Sequence, residues 1–309
     1  MLHNEADRKK GYIAAICFSV LVGFSFLGIK ICQNYTDSLH LLCYRYDFAF
    51  VVIVLLAVFG IVKIDIRNKP KKKLMLTAGF YVGFMALQVT GLAYATSVEG
   101  SIIFAIVPII VKVIASVFLK ERSSWIENMF ICMTVAALVF MIIMGATGIV
   151  INPLVTVLLL LSSISMALSN VFMRYTRNDY RPVEITFSIV VMGFIVFNSV
   201  QIVSGIISGE GIGDYFAPLA VPQVLIACGY LGIGCILLSA HLMSYMLSKM
   251  EAVKGTIFGN VSTAISIVAG VLVLGETLMW YHVVCTLLII TGVVGLSLSG
   301  SRREERSRS

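Results

Sequence analysis

Long apolar segments follow one another along almost the whole chain, and they constrain the fold more than any other feature. A helix that crosses a bilayer needs about 20 consecutive apolar residues, because hydrocarbon cannot satisfy an exposed backbone amide. Only 13% of the 309 residues are charged, about half the share found in a soluble domain. We therefore predict an all-α integral membrane protein. Ten segments meet the requirement: Gly11–Gln33, His40–Val62, Leu74–Ala95, Gly100–Leu119, Asn128–Ala146, Leu154–Met173, Val183–Ser208, Val224–Leu247, Gly255–Leu274 and Tyr281–Leu298.

Lysine and arginine residues predict the orientation of these segments. Of the 23 cations, 20 lie before the first segment, in the loops after segments two, four, six and eight, or in the C-terminal tail. The intervening loops carry none, and they contain Asp37, Glu210, Asp214 and Glu276. The positive-inside rule then predicts a multi-pass protein of the plasma (inner) membrane with both termini in the cytoplasm. Attraction to anionic lipid accounts for the net charge of +7 without nucleic acid as a partner.

A weak internal repeat relates the two parts of the chain. Gly100–Trp125 aligns with Gly255–Trp280 at a constant offset of 155, with seven identities in 26 positions. The most specific matches are Glu121 with Glu276 and the tryptophans that end the two stretches. These residues follow the fourth and ninth segments, so the repeat predicts two halves of five helices each.

Five is an odd number, so the two halves are predicted to insert with opposite topology. We place the halves at residues 1–147 and 148–300, followed by a basic cytoplasmic tail at 301–309. Inverted repeats of this kind are an architecture of secondary transporters, in which substrate binds near the membrane midplane between the halves. The repeat therefore favours transport.

Two stretches of sequence carry a family resemblance. Residues 93–137 read AYATSVEGSIIFAIVPIIVKVIASVFLKERSSWIENMFICMTVAA, with a Tyr-Ala-Thr-Ser end to one segment, Pro108 in the next and a Leu-Lys-Glu-Arg exit. Residues 255–280 read GTIFGNVSTAISIVAGVLVLGETLMW, with Thr263 in place of the proline. Both stretches resemble the EamA domain of the drug/metabolite transporter superfamily, and Lys30 and Arg45 match cations common in the first half of such proteins.

The resemblance extends over essentially the whole chain and implies a fold and an activity. It implies a ten-helix bundle in which the first four helices of each half surround a central cavity and the fifth is peripheral. It also implies passage of small metabolites, often the export of amino acids. Fold membership alone does not specify the substrate.

Charged side chains inside the segments are the first candidates for function, because burying them in hydrocarbon is costly. Arg45 lies five residues into its segment, at a depth of about 8 Å, and is predicted to face the cavity. Lys30 and Lys112 are substrate-binding candidates as well, although both lie close enough to a membrane surface for their side chains to reach the headgroups. Asp47 is the carboxylate that lies well inside a segment. The favoured interpretation is that Asp47 pairs with a cation on another helix. The alternative is that it titrates as a coupling residue during transport.

Uncharged polar residues recur at helical spacing on several segments. Ser162, Ser165 and Ser169, and likewise Gly259 and Thr263, are predicted to pack helix against helix. Bulkier polar residues are costlier to leave unpaired and are predicted to line the substrate cavity. These substrate-binding candidates are Tyr81, Gln88, Asn170, His241, Tyr245 and Asn260. Asn198 and Gln201 are weaker candidates for the same role.

Other chemistry has no support in the sequence. The seven cysteines form no Cys-x-x-Cys pair and are interpreted as small buried hydrophobic residues. The four histidines have no metal-ligand spacing, and neither a Walker A motif nor a Gly-x-Gly-x-x-Gly motif occurs. We predict no metal, no cofactor and no enzymatic activity. Gly255 and Gly259 form a Gly-x-x-x-Gly motif that predicts either a homodimer or close packing within the chain.

The favoured function is export of amino acids or related carboxylate-bearing compounds by alternating access. Within the segments cations outnumber carboxylates three to one, which favours a substrate with a carboxylate group. Two alternatives remain open at this point. One is uptake of a neutral or cationic nutrient, sugar-like or nucleoside-like, bound by tyrosines and amides. The other is a membrane sensor or scaffold that transports nothing.

Overall fold

The computed structural model describes residues 5–67, 69–104, 106–118, 124–146, 153–209, 211–250, 252–275 and 279–306. Within these ranges the chain is helical and contains no β-strand. Six helical stretches in this part of the chain are long and apolar enough to cross a membrane, as the fold class predicts. They are Lys10–Gln33, Ser38–Val58, Lys71–Leu92, Pro153–Thr176, Pro182–Ser208 and Pro222–Lys249.

The helices follow the predicted segments in order along the chain. The first half contains α1 (Glu5–Gly23), α2 (Ser25–Gln33), α3 (Ser38–Val58), α4 (Lys71–Leu92), α5 (Ser97–Phe104), α6 (Val107–Phe118) and α7 (Trp125–Ala146). The second half contains α8 (Pro153–Thr176), α9 (Pro182–Ser208), α10 (Ile212–Phe216), a 3₁₀ turn (Ala217–Ala220), α11 (Pro222–Gly229), a π-helical segment (Tyr230–Leu238), α12 (Ser239–Lys249), α13 (Ala252–Leu274) and α14 (Trp280–Arg306). The predicted fourth, fifth, ninth and tenth segments are also helical.

Three of the predicted segments are interrupted rather than continuous. The first breaks between α1 and α2 at Phe24, where the Oγ of Ser266 donates a 2.5 Å hydrogen bond to the carbonyl of Gly23. This bond from α13 replaces part of the hydrogen bonding that a kink removes from a helix. The fourth breaks between α5 and α6, beside Pro108, which has no backbone N–H to donate. The eighth changes from α to π and back to α between α11 and α12.

Helices of the two halves alternate in the bundle instead of forming two separate units. The most extensive packing joins α4 to α8, while α1 packs on α12 and α13, and α3 packs on α9 and the π-helical segment. The α4 helix also packs on α9, and α5 and α6 pack on both α8 and α13. The α7 helix packs on α14, which in turn contacts α13. The interior of the bundle is therefore built largely from contacts between halves.

Three serines on α8 explain why α4 and α8 approach so closely. Their hydroxyls lie on one helical face and donate to successive turns of the α4 backbone. The bonds join Ser162 to the carbonyl of Phe84, Ser165 to that of Phe80 and Ser169 to that of Thr77, at 2.8, 2.7 and 3.0 Å. Small hydroxyl residues allow this kind of backbone contact in lipid, and the stripe therefore packs helix on helix.

An acidic residue at the start of α9 organises the loop between α3 and α4. Glu184 is fully buried, and its carboxylate accepts hydrogen bonds from Lys69 Nζ at 2.5 Å and from Arg181 Nη2 at 3.1 Å. It also accepts from the backbone amides of Arg181 at 2.9 Å and Asp65 at 3.3 Å. A buried carboxylate with two cations and two amides is well compensated for its lost hydration. This cluster fastens the loop to α9.

Replacing Glu184 tests how much this cluster stabilises the fold. Glu184→Gln leaves Lys69 and Arg181 beside a neutral amide, so we expect the free energy of unfolding to fall by about 3 kcal/mol. Asp179→Asn is the matched control, because Asp179 pairs with Lys73 at 3.0 Å in a partly exposed position. Its pair is expected to be worth less than about 1 kcal/mol. Thermal melting of the two purified variants measures the difference, and equal melting temperatures would contradict the assignment.

Candidate substrate site between the two halves

Arg45 is the most deeply buried cation in the described part of the chain. It lies in the second turn of α3, and only 1% of its surface is exposed. Its Nε and Nη1 atoms have no hydrogen-bond partner among the described residues. The ion pairs found in the same ranges do not include it. A guanidinium carries five N–H donors and stays charged, so this cation retains binding capacity that the protein does not use.

Side chains from both halves surround the Arg45 guanidinium. Tyr81 of α4 and Cys32 of α2 belong to the first half, and both lie within electrostatic range of the cation. Cys228 of α11 and Cys235 of the π-helical segment belong to the second half and lie within the same range. The cation therefore lies where the two halves meet, which is the expected position of substrate in a transporter built from repeats.

A glycine in the π-helical segment allows the two halves to pack closely beside Arg45. A β-carbon on Gly232 would lie 2.5 Å from the backbone oxygen of Arg45 and 2.8 Å from the Cβ of Phe48. Only a residue without a side chain lets the π-helical segment lie directly on α3. Short π-helical turns inside α-helices are frequent at functional sites. This segment is not predictable from the sequence, because apolar periodicity does not distinguish an α turn from a π turn.

Two glycine variants test the contact between α3 and the π-helical segment. Gly232→Ala forces a methyl group against the backbone of Arg45, so we expect a lower melting temperature and loss of any ligand binding at Arg45. Gly229→Ala is the matched control, because a β-carbon at Gly229 meets nothing within 4 Å. This control is expected to leave the melting temperature unchanged or slightly raised, since alanine favours helix. Equal melting temperatures for the two variants would show that the contact is not tight.

Three first-half candidates lie on or against the part of α4 between its middle and its C-terminal end. Lys30 of α2 donates from Nζ to the carbonyl of Leu92 at 2.6 Å, at the C-terminal end of α4. A cation at a helix C-terminus is favoured by the helix dipole. Tyr81 and Gln88 are both buried, and their spacing of seven places them on one face of α4, two turns apart. Their positions form a polar stripe that begins beside Arg45.

A second group of candidates lies nearer the other end of the bundle. The Nη1 of Arg174 donates to the carbonyl of Leu247 at 2.8 Å and joins the ends of α8 and α12. Asn170 precedes Arg174 by about one turn of α8, and Tyr245 precedes Leu247 by about half a turn of α12. Asn170 is 1% exposed, and its Nδ2 has no hydrogen-bond partner in the part of the chain that the structure describes. The amide of Asn170 is therefore a second buried polar group with unused capacity.

The other three candidates are placed less specifically. Lys112 is buried on α6, which packs against α8, and His241 is half-buried on α12. The side chain of Asn260 lies outside the described residues. The structure therefore gathers the candidates at two levels, with Arg45 and Tyr81 at one and Asn170 and Tyr245 at the other. Direct contact between the two groups is not observed in the described residues.

The favoured interpretation of Asp47, a pair with a cation on another helix, is wrong. Its Oδ1 accepts from Asn198 Nδ2 at 2.7 Å, and its Oδ2 accepts from the hydroxyl of Tyr215 at 2.8 Å. Both partners are neutral. The physical reason is that Asp47 faces α9 and the short α10 helix, where the groups within its reach are the amide of Asn198 and the hydroxyl of Tyr215 rather than a cation.

Asp47 belongs to a polar cluster in the N-terminal half of α3. The ring of Tyr215 of α10 packs on that of His40 in a tilted arrangement with centroids 5.5 Å apart, and the hydroxyl of Tyr44 donates to the backbone oxygen of Tyr215. His40 also contacts Asp37, whose Oδ1 accepts from the amides of Leu39 and His40 at 2.8 Å. Burial acts to raise the pKa of Asp37, but these hydrogen bonds outweigh it and hold the pKa below its usual value. Asp37 is accordingly the N-cap of α3.

This cluster also contains Asn198 and Gln201, the two weaker candidates on the seventh predicted segment. Asn198 binds Asp47, and the Nε2 of Gln201 lies 3.1 Å from the Nε2 of His40. Sequence reasoning missed Tyr215, since it lies in a loop between two predicted segments. A tyrosine within an acidic outer loop was the only available signal.

The model of the EamA-like transporter family matches the chain twice, at residues 9–143 and 154–298. The chain belongs to the EamA-like transporter family. It is 34% identical to the uncharacterized transporter YcxC of Bacillus subtilis (strain 168), covering 97% of this chain and 96% of that protein. An uncharacterized transporter of Archaeoglobus fulgidus is 22% identical, covering 88% of this chain and 92% of the relative.

A solved crystal structure confirms the fold independently of close sequence similarity. It superposes with a TM-score of 0.72 at 13% sequence identity and covers 96% of this chain and 99% of the other. Together with the apolar helices, the family identifies a multi-pass membrane transporter built from two EamA repeats.

Proposed function

We propose that the protein is a secondary transporter that carries small carboxylate-bearing metabolites, amino acids foremost, outward across the plasma membrane. Arg45 carries the proposal. Burying a cation without a partner is costly, and a ligand carboxylate would offset that cost with paired, charge-assisted hydrogen bonds. The proposed substrate therefore supplies the anion that the described residues do not.

Residues around Arg45 suggest how the rest of an amino acid is bound. Tyr81 presents an aromatic surface with a hydroxyl that contacts the Ser239 side chain, and Gln88 lies two turns further along the same face. An aromatic ring and an amide suit a small molecule with one apolar and one polar part. Lys30, Lys112, Asn170, His241, Tyr245 and Asn260 complete the proposed set of substrate-binding residues, and we assign them to the path rather than to the carboxylate.

Exchange of the two halves preserves the contacts between helices, which supports the proposed ten crossings in two inverted repeats. Packing of α1 on α12 corresponds to packing of α8 on α4, and packing of α1 on α13 corresponds to packing of α8 on α6. Packing of α3 on the π-helical segment likewise corresponds to packing of α9 on α4. With 20 of 23 cations on one side, the proposed topology places both termini in the cytoplasm. In this arrangement Arg45 lies in the outer half of the bundle.

Counterflow in proteoliposomes tests the proposed substrate class. The assay compares a panel of labelled amino acids on the wild type, on Arg45→Gln and on Arg67→Gln, in which an exposed loop arginine is replaced. We expect saturable exchange in the wild type and in Arg67→Gln. We expect a loss of about tenfold or more in Arg45→Gln, because hydrogen bonds to a charged group contribute about 1.5–3 kcal/mol.

Two results would contradict the proposal. Equal exchange by Arg45→Gln and the wild type would show that Arg45 does not bind the substrate. Absence of exchange for every amino acid, from protein that melts cooperatively, would exclude the substrate class and favour a neutral nutrient or a sensor function.

Asp47 remains the proposed coupling residue. It is a carboxylate within a membrane-spanning helix, and its two partners in the described residues are neutral, so its protonation breaks no ion pair. We expect an imposed pH gradient to accelerate flux in the wild type and to have no effect in Asp47→Asn, while counterflow without a gradient persists. Asn198→Ala, which removes one of the two donors but keeps the carboxylate, is the control expected to retain the response. Acceleration in Asp47→Asn would rule out this role.

A further inference from the structure

Two cysteine side chains face each other across the interface between the halves. Cys32 lies one residue before the end of α2, and Cys228 lies in the last turn of α11. Their sulfur atoms are 3.5 Å apart, and both residues are fully buried. Among the seven cysteines, all in the described ranges, this is the pair for which a sulfur–sulfur contact is observed. A disulfide needs the sulfurs to close to about 2.05 Å, so the two side chains must move towards each other for the bond to form.

The charge beside this pair favours its chemistry. Arg45 lies within electrostatic range of both sulfur atoms. The thiolate is the nucleophile in thiol–disulfide exchange, and a neighbouring guanidinium offsets part of the cost that burial imposes on its charge. Cys235 also lies near Arg45, but its Sγ donates to the backbone oxygen of Leu21 at 3.5 Å and points away from the pair. Cys32 and Cys228 therefore have sulfur atoms in contact, lie near the charge of Arg45 and come from different halves of the repeat.

The position of the pair determines where an oxidant would reach it. In the proposed topology the end of α2 and the start of α11 face the outside, where disulfides persist. Both sulfurs are covered when the halves are closed as in this structure. A small oxidant reaches Cys32 only when the outer ends of α2 and α11 separate, and the second sulfur returns to contact when they close.

We propose that Cys32 and Cys228 form a reversible disulfide that joins the first half of the protein to the second. In the first step the Cys32 thiolate attacks one sulfur of a small disulfide and releases one small thiolate. In the second step the Cys228 thiolate attacks the Cys32 sulfur of the mixed disulfide and releases the other thiolate. Two protein thiols are oxidised, one small disulfide is reduced to two thiols, and the protons go to the released thiolates.

The disulfide would hold α2 against α11 beside Arg45. Alternating access requires the two halves to move relative to each other, so the cross-link is expected to stop substrate exchange. This consequence rests on the proposed function. The formation of the bond does not, since it depends on the two sulfur atoms alone.

Mass spectrometry of oxidised protein tests the bond directly. Purified wild type is treated with oxidised glutathione and then denatured, because five of its seven cysteines are buried. The remaining thiols are alkylated with N-ethylmaleimide, and the intact mass and the peptides are measured. We expect five adducts after oxidation in place of the seven that the reduced protein's free cysteines accept, and a peptide linked through Cys32 and Cys228. Dithiothreitol is expected to restore all seven. Seven adducts after oxidation, or a link through any other cysteine, would overturn the proposal.

Serine variants assign the effect to this pair and separate it from transport. Cys32→Ser and Cys228→Ser are each expected to lose the linked peptide, while Cys17→Ser, which replaces an exposed cysteine, retains it. In proteoliposomes that exchange an amino acid, oxidation is expected to lower exchange at least tenfold in the wild type and in Cys17→Ser but not in Cys32→Ser. A linked peptide with undiminished exchange would refute the locking effect. A linked peptide in protein that exchanges nothing even when it is reduced would refute the proposed function alone.

Discussion

The contact between α3 and the π-helical segment is the constraint on which the site depends. Gly232 permits this contact, because a β-carbon at this position would lie only 2.5 Å from the backbone oxygen of Arg45. That approach leaves no lipid between the halves and closes the bundle around a guanidinium that has no hydrogen-bond partner at Nε or Nη1 in the described residues. A cation in this position is stable only with compensation, and the family's activity as transporters suggests that a ligand provides it. In the proposed function, the packing of the two halves and the binding of substrate both involve Arg45.

Sequence reasoning recovered the helices and the burial of Arg45 because both follow from general costs in hydrocarbon. Unsatisfied backbone must form helices, and a charge deep in a segment must face protein or water. The partners of Asp47 were not predictable, since they depend on the rotation of α9 and on α10, a five-residue helix in a loop. The break at Phe24 and the π-helical segment also escaped prediction, because they arise from contacts with Ser266 and with Arg45 rather than from local composition.

The contact between two of the cysteines also could not be predicted from the sequence. As residues in apolar segments all seven are interpreted as small buried side chains, which is confirmed for five and wrong for Cys17 and Cys132, since both are exposed. Cys32 and Cys228 are 196 residues apart, and only the packing of α2 on α11 brings their sulfur atoms into contact. Conversely, the serines of α8 were assigned to packing on their spacing alone, and the structure shows each one bonded to the α4 backbone. Regular spacing within one helix is readable from sequence, whereas contacts between distant helices are not.

The central claim is that Arg45 recognises the carboxylate of the substrate. Isothermal titration of the purified wild type with an amino acid, and with the amide of the same amino acid, tests it most directly, since only the ligand changes. The account predicts that the amide binds at least about tenfold more weakly, because the charge-assisted bonds to the guanidinium are lost and a cationic ligand faces a buried cation. Equal affinity for the two ligands would contradict it.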